Sequence, residues 1–68
     1  MAVKVATKKA QKAMVDTAFR TTANGVQFDV FDLGKVLRVG ELIAAKPGAT
    51  QDDVNAAIAD AVAVWRKN

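Results

Sequence analysis

The sequence predicts a mostly α, three-helix domain with a short strand between the first two helices. Two observations carry this reading. Hydrophobic residues make up 51% of the 68 residues, and most of them recur at helical spacing. Between two such stretches, Val26-Gln27-Phe28-Asp29-Val30 instead alternates apolar and polar residues, which is the period of a strand.

The first helix is expected from about Thr7 to Thr21. Ala10, Met14, Val15, Ala18 and Phe19 form its apolar stripe, and Asp16 precedes Arg20 by four, the favourable order for a helical pair. Lys8, Lys9 and Lys12 sit at the end where the helix dipole disfavours cations, so the first turn is expected to fray. Asn24-Gly25 readily takes positive φ and stops the helix.

Two continuations are open after the strand. In one, Asp32 caps a second helix from Leu33 to about Ala45, with Leu33, Val36, Leu37, Gly40, Ile43 and Ala44 on its stripe. Glycine costs about 1 kcal/mol relative to alanine in a helix, and a place on the buried stripe, where it admits close packing, would explain Gly40. In the other, Asp32 to Lys35 is a turn and residues 35–39 return as a second strand, giving an α+β helix-hairpin-helix. Either way the element ends near Ala45, because residues before Pro47 avoid helical geometry. Lys46-Pro47-Gly48-Ala49 then links to the last helix. Thr50 with Asp52 and Asp53 marks its start, Val54, Ala57, Ile58, Ala61, Val62 and Trp65 its stripe, and Arg66 and Lys67 its end.

The whole chain, residues 1–68, reads as a single small domain. A domain of this size buries only about 60% of the surface its unfolded chain exposes, and its core rarely supplies more than about 3–5 kcal/mol. With no cysteine and no histidine, neither a disulfide nor a structural zinc is expected. Self-association or folding against a partner is the available reinforcement, beside a lone monomer with a modest core. No run of about 20 apolar residues exists to cross a membrane, and the N-terminus lacks the apolar segment of a secretory signal, so a cytoplasmic location is expected.

The formal net charge is +3, unevenly spread. Lys4, Lys8, Lys9 and Lys12 precede the first acid, Asp16, and form a basic N-terminal arm over residues 1–12; the remaining six cations face seven carboxylates. Such an arm contacts phosphates or simply keeps a helix start solvated. These four lysines are the candidate phosphate contacts.

Chemistry finds little material. Histidine, cysteine, serine and tyrosine are absent, and no glycine-rich phosphate loop occurs. Asp52 with Asp53, and Asp32, read as helix caps rather than paired acids, and Asp29 as a strand residue facing water. No catalytic, cofactor-binding or metal-binding residue is assigned, no cofactor or small-molecule substrate is expected, and a chain this short offers little room for a pocket. The reading is a non-enzymatic interaction module: an adaptor, inhibitor or assembly factor that binds a protein partner or a second copy of itself.

Phe28, Phe31 and Trp65 are the candidate partner contacts. Phe28 and Phe31 have odd spacing, so one is expected to be exposed or to sit at a strand-to-helix corner; core packing of Trp65 is the competing view. The alternative function is nucleic-acid binding. Strand, helix, helix is the element order of ribbon-helix-helix repressors, whose paired strands enter the major groove, but the likeness is one of order alone. Gln27 and Asp29 would face the DNA there. A helix-turn-helix over residues 43–65 would place Gln51, Asp52 and Asp53 at the bases. Acids fit neither place, so binding would rest on the lysines. A membrane-surface role for the first helix ranks last, since its apolar face is mostly small residues.

Overall fold

Thr7 opens the first helix: its hydroxyl accepts from the Ala10 amide at 3.1 Å, occupying one of the donors that a helix start leaves without an internal partner. The computed structural model describes residues 5–66. It contains three helices, α1 (Lys8–Thr22), α2 (Val30–Ala44) and α3 (Gln51–Arg66), and no strand among the described residues. No described helix is long and apolar enough to cross a membrane. Helix α1 is regular from Lys8 onward, despite the lysines in its first turn. The Thr7 cap and a 2.7 Å bond from Gln11 Nε2 to the Ala6 carbonyl secure that end.

The expected strand over Val26–Val30 is not formed, and neither is the alternative hairpin. A single strand would leave its amides and carbonyls unpaired, and the neighbouring sequence supplies no second one. The period-two alternation is nevertheless real. Val26 and Phe28 are half-buried while Gln27 and Asp29 face out, so the segment runs extended without a ladder. Gly25, with φ of 82°, turns the chain into it.

The second correction concerns the cap of α2. Asp29, not Asp32, starts the helix: its carboxylate accepts from the Asp32 amide at 2.8 Å, and Asp32 lies in the first turn. The helix therefore begins at Val30, three residues earlier than Leu33, and ends at Ala44. Both aspartates suit the start of a helix; the one nearer the N-terminus caps because Phe28 turns inward just before it.

Helix α3 starts as its sequence predicts. Asp53 N–H donates to Thr50 Oγ1 at 3.2 Å, and Thr50 N–H donates back to Asp53 Oδ2 at 3.0 Å, a reciprocal capping box. Gln51 then ties α3 to α1, donating from Nε2 to the Met14 carbonyl at 2.8 Å.

The first half of α1 lies beside the second half of α2, and Phe19 meets Phe28 just before α2 begins, so α1 and α2 are antiparallel. The short connection reverses the chain again, and α3 runs back along both. The core is Val15, Ala18, Ala23, Val36, Ala44, Val54, Ile58 and Val62, with no buried polar or charged side chain among the described residues. Met14, Phe19, Phe28, Leu37, Ile43 and Ala61 close around it.

The three helices meet at Gly40. A Cβ there would lie 2.7 Å from Ile58 Cδ1 of α3 and 3.3 Å from Val15 Cγ1 of α1. Gly34, six residues earlier, has nothing within 4 Å of its would-be Cβ. The two glycines of one helix therefore predict opposite outcomes. Gly34→Ala is expected to raise unfolding stability by about 0.5–1 kcal/mol through helix propensity alone. Gly40→Ala is expected to lower it by about 1–2 kcal/mol, because overpacking outweighs that gain. Adding Ile58→Val, which removes Cδ1, should recover part of the loss. Urea unfolding of the four chains measures all three.

Candidate interaction surface

Helical geometry separates α2 into two faces. Steps of about 100° per residue put Val36, Gly40 and Ala44, all buried, on one side. Phe31, Lys35, Arg38 and Leu42 fall within a sector about 60° wide on the opposite side. All four are exposed. Phe31 is 81% exposed and Leu42 is 55% exposed. Val30, at 85%, stands beside Phe31 at the helix start. The outer face of α2 is thus two apolar anchors about three turns apart, with two cations between them. Its nearest carboxylate on the α1 side, Glu41, lines the groove between α1 and α2.

The two phenylalanines singled out by their odd spacing take different roles. Phe28 is half-buried and sets its ring against Phe19, centroids 5.6 Å apart and planes tilted by 47°, a favoured aromatic geometry. Phe31 projects from the first turn of α2 into solvent. Trp65 belongs to the last turn of α3, but its side chain lies outside those described.

Lys8, Lys9 and Lys12 are all exposed on the first turns of α1; Lys4 lies outside the described residues. Lys8 and Lys12 edge a groove of about 500 Å3 between α1 and α2, floored by Val15 and Leu37, with Asp16 and Glu41 beside them. This groove is larger than the chain length suggests. Its four charged groups are two lysines and two carboxylates, all exposed. A second hollow, of about 330 Å3, lies around Pro47 and Gly48 at the α2–α3 connection. No group of three or more carboxylates that could hold a metal ion is found among the described residues.

Phe31 was legible as one of two rings that could not both turn inward. Leu42, Lys35 and Arg38 were missed. The helical stripe of α2 was read only for its buried side, and its true start at Val30 is what aligns Phe31 with Leu42. No family model, curated protein or solved structure matches the chain.

The exposures predict a clear contrast in stability. Phe31→Ser is expected to change it by no more than about 0.5 kcal/mol, as surface substitutions do. Phe28→Ala is expected to cost about 1–3 kcal/mol from lost burial and ring contact. Thermal denaturation followed by circular dichroism distinguishes the two.

Proposed function

We infer that the protein acts as a non-enzymatic interaction module and presents the outer face of α2 to a protein partner. The observation that carries this reading is the exposure of Phe31 and Leu42 on one stripe of a regular helix whose opposite side forms the core. An aromatic ring that is 81% exposed lowers solubility and contributes little to this fold. Aromatic anchors flanked by arginine are the residue types that dominate protein interfaces. The stripe reads as a helix-in-groove or helix-on-helix surface, recognised through anchors about three turns apart.

The experiment is site-specific crosslinking in the cells that make the protein. A photoreactive phenylalanine analogue at position 31 should give a discrete protein adduct. The same group at Thr17, exposed on α1, should not. Absence of any adduct at position 31, or the same pattern at both positions, would defeat the reading.

Nucleic-acid binding is the second reading, favoured by the exposure of Lys8, Lys9 and Lys12. Without a strand to enter the major groove, it rests on phosphate contacts alone. Such contacts predict weak, sequence-independent binding to duplex DNA at about 50 mM salt that is lost by about 200 mM. Fluorescence anisotropy measures this. Tight, sequence-dependent binding at the higher salt would make nucleic acid the principal partner.

A further inference from the structure

We propose that Asn24 is a site of covalent modification that needs no enzyme: the backbone nitrogen of Gly25 displaces the side-chain amide of Asn24, and the turn between α1 and α2 acquires aspartate or isoaspartate. The inference is independent of the role given to the α2 face.

The chemistry needs these two neighbours and water. The Gly25 nitrogen, having lost its proton, attacks Asn24 Cγ. A new C–N bond forms, the bond from Cγ to the side-chain nitrogen breaks, and ammonia leaves carrying that proton. Water then opens the five-membered succinimide. Hydrolysis at Cγ gives aspartate. Hydrolysis at the backbone carbonyl gives isoaspartate, in which the chain runs on through the side-chain carbon. Nothing is oxidised or reduced.

The structure presents these atoms openly. Asn24 and Gly25 are both exposed, directly after the Ala23 cap of α1. The Gly25 amide donates to no described residue, and the turn is closed by one bond, from the Val26 amide to the Ala23 carbonyl at 3.1 Å. A side chain at Gly25 would meet nothing within 4 Å. The peptide plane between the two residues can therefore swing toward the Asn24 side chain without a clash. Asn55 sets the contrast. It is half-buried, its Oδ1 accepts from Gln51 Nε2 at 2.9 Å, and the amide that follows it belongs to Ala56, inside α3 and engaged in the helix ladder. One side chain in two settings is reactive at position 24 and protected at position 55.

The product acts on one end of the bundle. Both products lower the formal charge of +3 by one and set a carboxylate beside the negative end of the α1 dipole. Arg20, in the last turn of α1, offsets part of that repulsion. Isoaspartate does more. It adds a methylene carbon to the backbone between Ala23 and Val26, so the bond that closes the turn loses its geometry. The longer connection displaces Phe28 from Phe19, whose rings close this end with centroids 5.6 Å apart.

The test is to age the full-length protein at neutral and mildly alkaline pH. The tryptic peptide of residues 21–35 is followed by mass spectrometry, with fragmentation that separates isoaspartate from aspartate. Asn24 should convert to both products, faster at the higher pH because the attacking nitrogen must lose its proton, while Asn55 stays intact. Gly40→Ala, or Ile58→Val if that variant does not fold, separates reaction in the folded protein from reaction in the unfolded chain. Conversion of the folded protein should keep the wild-type rate in that variant. Reaction through the unfolded chain would instead speed up about 5–30-fold with the unfolded population. Thermal denaturation then compares the purified isoaspartate form with Asn24→Asp, which carries the charge without the extra carbon; the isoaspartate form should melt lower.

Asn24 that stays intact long after a synthetic peptide of residues 21–35 has converted completely would overturn the proposal. Equal conversion at Asn55, or a rate that follows the unfolded population, would overturn it as well. An isoaspartate form that melts with Asn24→Asp would remove the effect on the Phe19–Phe28 end.

Discussion

The missing side chain at Gly40 is the constraint on which the fold depends. It lets α2 approach α1 and α3 at one point, so that Val15 and Ile58 converge on the space a methyl group would fill. A core with few large side chains needs such an approach. Of the eight buried hydrophobic residues among those described, three are alanines, four are valines and one is isoleucine. These reach a short distance, and dispersion contact between them requires close backbones. The phenylalanines do not fill the centre; Phe19 and Phe28 close one end of the bundle instead. The chain has solved the problem of a small core by narrowing the gap between helices rather than by enlarging what goes into it.

Around that point the helix ends are set by local chemistry, which is why most of the fold was legible in the residues. Thr7, Asp29 and Thr50 each cap through a side-chain oxygen bonded to the amide three residues on. Asn24-Gly25 and Pro47-Gly48 lie in the two turns, and Gly25 and Gly48 are the only positive-φ residues among those described. Gly40 could be placed on the buried stripe from its spacing alone. The strand was misread because alternation reports which side chains turn inward, not whether the backbone has a hydrogen-bonding partner. Val26 and Phe28 do turn inward. The partner is a matter of the rest of the chain, and three helices leave none.

The α2 start shows how a three-residue error propagates. Asp29 and Asp32 are both good caps, and choosing Asp32 put Phe31 in a connecting segment, where its direction has no fixed meaning. With the helix begun at Val30, Phe31 enters the same sector as Lys35, Arg38 and Leu42, and a stray aromatic becomes the first member of a stripe. The cationic residues on that stripe, set against the aspartates of α3, give the molecule two unlike faces that net charge conceals. A formal +3 describes the sum, whereas recognition responds to where each sign lies.

The position of the largest core residues also bears on how the protein is made. Of the four largest fully buried side chains, three, Val54, Ile58 and Val62, belong to α3, and Val36 is the fourth. Gln51 reaches back across 37 residues to Met14. Synthesis delivers α1 and α2 first, and these two helices alone would leave their core-facing valines and alanines open to water. The chain can close only when Val62 has left the ribosomal tunnel. Folding of this three-helix unit therefore waits on α3.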